Sequence, residues 1–209
     1  MLYLLFLYSM NEQMPYAFLE RLVRQWIQPT IEEWEAFCNC LEERTIKKNE
    51  VYLAEGAVCH KSAFVAQGSF RMYYLIEGEE RCKDFQFEGQ FTGSLYSLLT
   101  GNPALFSISA MEDSLLLELS RDNLFTLYDQ YKIWERFGRI YMEQLFIYKE
   151  KREASLLFET AATRYQNMLM QQPQHLQRIP QKYLASYLGI KPESLSRLRR
   201  QFAEIQSGR

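Results

Sequence analysis

The spacing of hydrophobic residues changes twice along the chain and divides it into three parts. From Pro15 to about Arg44 apolar residues recur every three or four positions, which predicts two helices separated near residues 28–30. Thr30 followed by Glu33 fits a capping box at the start of the second helix. Short alternating runs separated by glycines then extend from about Thr45 to Leu119, and helical spacing returns from Ser120 onward.

The central part predicts short strands connected by turns. Its connections are too short for helices, so the strands are expected to form a sandwich or a rolled barrel rather than a parallel sheet. The predicted strands are Glu50 to Leu53, Ala63 to Gln67, Phe70 to Ile76, Arg81 to Phe87, Leu105 to Ala110 and Ser114 to Leu119.

A long helix is predicted after the strands. Ser120 is its expected N-cap, and the proline-free run from Lys132 to Phe158 has an apolar arc wider than one core face. We expect one edge to pack on the strands and the other on a second copy of the chain, although a helix buried within a monomer is an alternative. The residues expected at the dimer contact are Ile133, Phe137, Ile140, Tyr141 and Tyr148.

A further helix is predicted from about Leu156 to Gln171, before Pro173. The segment QQPQHLQR at 171–178 is expected to be a hinge, with His175 as a solvated loop residue.

The stretch from Ile179 to Phe202 predicts a helix-turn-helix. Gly189 suits a tight turn with positive φ, Ala185 allows close crossing of the helices, and the second helix should begin at Lys191 or Pro192. An ordinary helical hairpin with a solvated basic face is the alternative. The apolar positions that would hold the two helices together are Leu184, Leu188, Ile190, Leu195 and Leu198.

The outer face of this motif carries groups suited to a DNA major groove. Arginine can pair with guanine, and glutamate can accept a hydrogen bond from cytosine. Residues 174–209 hold seven basic and two acidic side chains, a net charge of +5 in a chain whose total is −2. The candidate DNA-binding residues are Gln181, Lys191, Glu193, Ser194, Ser196, Arg197, Arg199 and Arg200.

The segment GIKPESLSRLRRQF resembles the recognition helix of the Crp/Fnr superfamily, the cyclic-AMP receptor protein and its relatives. An E-x-x-S-R core found in that superfamily is matched by Glu193, Ser196 and Arg197, which the resemblance implies are base readers. Pro192 stands where the cyclic-AMP receptor protein has a base-contacting arginine, so the operator can differ. FVAQGSFRMYY and FEGQFTGSL resemble the β-roll of cyclic-nucleotide-binding domains.

The resemblance implies an α+β fold and three regions. These are an N-terminal cyclic-nucleotide-binding-like β-roll (jelly roll) at 15–130, a dimerisation helix at 131–158 and a C-terminal winged helix-turn-helix at 159–209. The implied function is sequence-specific transcription regulation by a cytoplasmic homodimer. Double-stranded DNA is the expected partner, and RNA polymerase is a further candidate. No association with a membrane is expected.

The resemblance also locates an effector pocket with a degenerate phosphate cassette. In nucleotide-binding members a glutamate holds the ribose and an arginine neutralises the cyclic phosphate; the aligned residues here are Ser94 and Leu105. A phosphate buried without a cation costs several kcal/mol. We therefore expect no cyclic AMP or cyclic GMP, and an uncharged or apolar effector or none. The pocket residues are Gly93, Ser94, Leu95, Leu105, Phe106 and Ser107.

Composition and motifs bear on the other functional classes that the chain could belong to. The chain is 47% apolar, typical of a soluble protein, and no common catalytic fingerprint occurs, so an enzyme is not expected. The four cysteines lack the spacing of an iron–sulfur cluster and are interpreted as reduced thiols; no metal site is expected. A sensor whose helix-turn-helix binds protein is the alternative function. MLYLLFLYSM is too short to span a bilayer, and Met1, Met10 and Met14 are alternative starts.

Overall fold

The computed structural model describes residues 14–206, so the alternative starts Met1 and Met10 lie outside the described residues. Two helices come first, α1 (Met14–Val23) and α2 (Ile31–Cys38). The Thr30 hydroxyl accepts from the Glu33 N–H at 3.2 Å, and the Glu33 carboxylate accepts from the Thr30 N–H at 2.7 Å. The predicted capping box is therefore confirmed.

Strands form two four-stranded antiparallel sheets, in the orders β1-β8-β3-β6 and β2-β7-β4-β5. This agrees with the sandwich or rolled barrel predicted from the alternating pattern and with the β-roll implied by the resemblance. The strands are β1 (Leu41–Ile46), β2 (Val51–Leu53), β3 (Lys61–Gln67), β4 (Phe70–Ile76), β5 (Glu79–Gln86), β6 (Phe91–Thr92), β7 (Ser107–Ala110) and β8 (Ser114–Ser120).

Strands β1 and β6 were not predicted. Residues 41–44 continue the helical spacing of α2, but they pair residue for residue with β8, from Leu41 opposite Leu119 to Ile46 opposite Ser114. Pairing with a distant strand therefore overrides the local pattern. The two-residue strand Phe91–Thr92 is too short to give a periodic signal.

The roll has a core between its sheets and a second one beneath the helices. Val65 and Leu116 are fully buried between the sheets. Their neighbours Phe64 and Leu117 point to the opposite side of the same strands, where they pack with α1, α2 and Trp134. Both faces of β3 and β8 are covered, which explains their nearly continuous apolar sequences.

The remaining described residues are helical apart from short connections. The helices are α3 (Leu95–Thr100), α4 (Arg121–Gln130), α5 (Lys132–Phe158), α6 (Ala161–Gln171), α7 (Pro173–Arg178), α8 (Gln181–Leu188) and α9 (Pro192–Gln206). Ser120 caps α4 through the Asn123 N–H at 3.1 Å, which confirms the predicted N-cap, but the long helical run expected from Ser120 is broken at Tyr131, whose backbone is extended.

Three predictions in the C-terminal half need correction. The helix predicted from Leu156 begins at Ala161, because the Thr160 hydroxyl caps the Thr163 N–H and residues 156–158 complete α5. The expected hinge contains helix α7, since Pro173 suits a first helical turn. Strands of the predicted wing are not found among residues 161–206, which are helical throughout their regular structure.

Gly68, between β3 and β4, gives a stability prediction. Its φ is +97°, and a Cβ atom there would collide with Ser114, lying 2.8 Å from Ser114 Cα. Gly68→Ala therefore combines backbone strain with a collision, and we expect a loss of about 2–4 kcal/mol in the free energy of unfolding. Urea denaturation measures it.

Gly56→Ala is the matched control. Gly56 has a φ of +84°, but a Cβ atom at this position would have no other atom within 4 Å. It should lose only about 1–2 kcal/mol from strain. Equal losses in the two variants would contradict the collision at Ser114.

Candidate nucleic-acid interface and effector cavity

Helices α8 and α9 form the predicted helix-turn-helix. Leu184, Leu188 and Leu195 are fully buried between them and the rest of the chain. Gly189 has a φ of 70°, and its N–H donates to the carbonyls of Ala185 and Ser186, which ends α8. The turn and both helix starts therefore agree with the sequence prediction.

The polar face of α9 points away from the protein. Lys191, Glu193, Ser196, Arg197 and Arg200 are exposed, whereas Ser194, Arg199 and Gln181 are half-buried. Among residues 15–202, whose side chains the structure describes, the three arginines of this face make no ion pair. Their charge is thus available to an anionic partner.

Short hydrogen bonds order the side chains at the start of this face. The Gln181 amide donates to Ser196 Oγ and to the Pro192 carbonyl, the latter at 3.2 Å. Arg197 reaches Ser194 Oγ at 3.5 Å. The Gln181 contacts connect the first helix of the motif to the second, whereas the Arg197 contact lies within the second helix.

The opposite side of the motif is docked on strand β5. Ser186 Oγ accepts from the Cys82 N–H at 2.9 Å and donates to the Glu80 carbonyl at 3.1 Å. Arg71, buried and bonded twice to Glu80 at 3.0 Å, lies 4.3 Å from the Tyr183 ring centre. The β-roll therefore holds the scaffold side of the motif and leaves its polar side free.

A second anchor joins α7 to the turns of the roll. Arg178 donates two hydrogen bonds of 2.8 Å to Glu88 and also reaches Glu112. His175 stacks on Phe87 with ring centres 4.1 Å apart and planes 3° from parallel. The prediction of His175 as a solvated loop residue is wrong, because the segment is helical and its ring lies against the roll.

The anchor at Glu88 gives a pH prediction. Burial opposes ionisation of this carboxyl, but the Arg178 and Gly68 hydrogen bonds outweigh it and hold the Glu88 pKa below its usual value. Its stabilising effect should be complete at neutral pH and be lost as the pH falls through the depressed pKa, below about 4. Glu88→Gln should cost about 1–2 kcal/mol at pH 7, measured by denaturation, and progressively less towards a pH of about 3.5.

Glu79→Gln is its control, since that carboxylate pairs with Arg81 on the open surface. It should change stability by less than about 0.5 kcal/mol. A Glu88→Gln loss that stays constant with pH would contradict the ion-pair explanation.

A cavity of about 590 Å³ lies between the roll and α5. Of the predicted pocket residues, Gly93, Ser94, Leu95 and Phe106 line it. Leu105 is 56% exposed outside the cavity, and the buried Ser107 hydroxyl instead accepts from the Glu55 N–H. Ser94 is fully buried and caps α3, accepting from the Ser97 N–H.

Sequence reasoning missed Lys83, which also lines this cavity. The pairing of β4 with β5 skips one residue, with Met72 opposite Asp84 and Tyr73 opposite Cys82, so Lys83 is the extra residue of a β-bulge. Its amino group lies 3.7 Å from the Phe106 ring centre. A bulge leaves no periodic signal, and only the observed pairing reveals it.

The predicted dimer residues occupy different environments on α5. Ile133, Phe137 and Ile140 pack against the helical core, Tyr141 lines the cavity, and Tyr148 donates to Asp84 at 2.8 Å. Intrachain contacts therefore account for much of the arc predicted to be a dimer face. The exposed large hydrophobic side chains of α5 are Met142, Phe146, Ile147, Tyr148, Leu156, Leu157 and Phe158.

The cysteines are free thiols, and burial raises the pKa of Cys38 and of Cys82 to about 11. Residues 14–206 contain no cluster of three histidine, cysteine or acidic side chains placed to hold a metal ion. In the same part of the chain, helices long and apolar enough to cross a bilayer are absent.

A comparison with models of protein families gives a match to the β-roll. The family model described as cyclic nucleotide-binding domain matches residues 43–131. Comparison with curated proteins gives no match. The matched segment begins within β1 and ends directly before α5, so it contains the cassette turn and most of the cavity wall.

Three solved structures resemble nearly the whole chain. FixK2 from Bradyrhizobium japonicum is 19% identical, with 80% of this chain and 86% of that one covered and a TM-score of 0.68. A CooA mutant from Carboxydothermus hydrogenoformans is 16% identical, with 86% and 87% covered and a TM-score of 0.67. The Thermus thermophilus catabolite activator protein is 22% identical, with 85% of both chains covered and a TM-score of 0.53. Residues 43–131 thus match the cyclic nucleotide-binding domain model, and the chain has the fold of these three solved structures.

Proposed function

We propose that the protein is a sequence-specific, DNA-binding transcription regulator. The observation that carries the proposal is the polar face of α9, whose arginines have no ion-pair partner among the described side chains of residues 15–202. Glu193, Ser196 and Arg197 read base edges in the major groove. The remaining candidates, Gln181, Lys191, Ser194, Arg199 and Arg200, position the helix against phosphates.

The proposal includes a symmetric dimer formed through α5. Phe146, Ile147 and Met142 are exposed on the same stretch of this helix, with 64% of Phe146 accessible. Apolar side chains in such a row are stabilised by covering them with a second copy. Two motifs then face half-sites about one DNA turn apart, roughly 34 Å.

Signals from the cavity reach the DNA-binding motif through two connections. Tyr148 of α5 bonds to Asp84 of β5, and β5 holds α8 through Ser186. A ligand that shifts β5 or α5 therefore changes how the two motifs of a dimer are spaced. RNA polymerase is the proposed partner once the protein is bound to DNA.

Selection from a pool of random DNA duplexes tests the proposed function. The enriched sequence should contain two inverted half-sites, and affinity for it should fall steeply with salt because bound counterions are released. Failure to enrich any sequence, with no dependence of binding on salt, would contradict the proposal. It would favour a helix-turn-helix that binds protein.

A further inference from the structure

One of the cations that line the effector cavity, Lys83, has no ion-pair partner among the described side chains. Three lysines line the cavity, and two of these are paired: Lys61 with Glu42 and Glu118, and Lys149 with Asp84 at 3.7 Å. For Lys83 no carboxylate lies within 4.0 Å among the side chains of residues 15–202. Its amino group instead lies over the rings of Phe106 and Tyr74.

The surroundings of Lys83 make its charge costly. Burial, then the neighbouring charge of Lys149, lowers the Lys83 pKa to about 8, and Asp84 only partly opposes this. Asp84 is itself engaged, since its two carboxylate oxygens share the hydrogen bond donated by the Tyr148 hydroxyl. An anion bound in the cavity would be stabilised by pairing with Lys83, because the charge of Lys83 is poorly solvated and the bulge already fixes its position.

The rest of the cavity wall is mostly apolar near this cation. Met72, Phe106, Tyr141 and Leu145 line it, and burial raises the Tyr141 pKa to about 12, so its phenol is neutral. The volume of about 590 Å³ is that of a small-molecule site.

We propose that this cavity binds a small organic acid with one negative charge on an apolar body, its carboxylate paired with Lys83. The proposal deepens the proposed regulator function, because the acid would be the effector. A cyclic nucleotide fits less well: Ser94 replaces the ribose-binding glutamate and is occupied as a helix cap, while Leu105 points outward where a phosphate-binding arginine is expected.

Titration calorimetry of the full chain at pH 7 tests the proposal. The probes are 2-naphthoate, 3-phenylpropionate and decanoate, each with its neutral amide, together with cyclic AMP. At least one acid should bind at least tenfold more tightly than its amide, and cyclic AMP should bind at least tenfold more weakly than that acid. Affinity for the acid should decline above a pH of about 8, as Lys83 loses its proton.

Three variants assign the charge to Lys83. Lys83→Met should remove the preference for acid over amide, Lys83→Arg should keep it, and Lys132→Met, outside the cavity, should not change it. Absence of binding by all three acids, equal binding of acid and amide, or a preference kept by Lys83→Met would overturn the proposal. So would cyclic AMP binding as tightly as the best acid.

These results are independent of DNA binding. Calorimetry uses no DNA, and Lys83→Met without acid should bind the selected duplex as the wild type does. Loss of acid binding with intact DNA binding would overturn only this inference. Acid binding without any enriched DNA sequence would support it while contradicting the regulator function.

Discussion

Replacing Arg197 by alanine is expected to weaken binding to the selected DNA site by about 1–3 kcal/mol, roughly five- to 150-fold. Arg197 is exposed on α9 and has no carboxylate partner in the described chain, so its guanidinium is available to a guanine edge. Repeating the selection with the variant should relax preference at one base pair of each half-site and leave the others unchanged.

Arg136→Ala is the matched control. Arg136 is also an exposed helical arginine, but it lies on α5, outside the helix-turn-helix. This variant should retain both affinity and sequence preference. An unchanged affinity and unchanged preference in Arg197→Ala would show that α9 reads DNA through other residues.

Phe146→Asp is expected to dissociate the dimer and to lower affinity for the two-half-site duplex by about a hundredfold or more. A monomer engages only one half-site, and linked binding of two sites commonly contributes factors of roughly 10²–10⁴. Phe146 is 64% exposed, although it also lines the effector cavity, so the substitution introduces a charge without leaving a void in the core. Sedimentation equilibrium measures the association, and a binding titration measures the affinity.

Phe125→Asp provides the comparison, because Phe125 is another exposed aromatic residue, on α4 rather than α5. It should remain dimeric. If Phe146→Asp were also dimeric at the same concentration, the exposed row of α5 would not be the subunit contact.

Local signals in the sequence predicted the two functional helices well. Gly189 ends α8 and Pro192 begins α9 through their own backbone geometry, and the buried leucines of both helices keep helical spacing. The positions of the two helices therefore follow from a short segment of sequence. Thr30 and Ser120 likewise mark the starts of α2 and α4 through contacts three residues away. Such features need no knowledge of distant residues.

Features that depend on pairing between distant segments could not be predicted. Residues 41–46 form strand β1 because they pair with β8. Lys83 lines the cavity because the pairing of β4 with β5 contains a bulge at this residue. His175 was predicted as solvated because nothing nearby in sequence indicates that Phe87 lies beneath it. These contacts join residues that are far apart in the sequence or depend on strand register.

Helix α5 shows the same limit. Its wide apolar arc was predicted, but the arc alone does not say which edge the roll covers. Because Ile133, Phe137 and Ile140 pack beneath the N-terminal helices, the exposed edge lies further along, around Phe146.

The most direct test places 7-deazaguanine, which lacks the major-groove N7 acceptor, at each guanine of the selected duplex in turn. Wild-type affinity should fall at least fivefold at one symmetric pair of guanines, whereas Arg197→Ala should lose nothing further at that pair. If every substitution weakened both proteins equally, or none weakened the wild type, Arg197 would not be reading a guanine in the major groove.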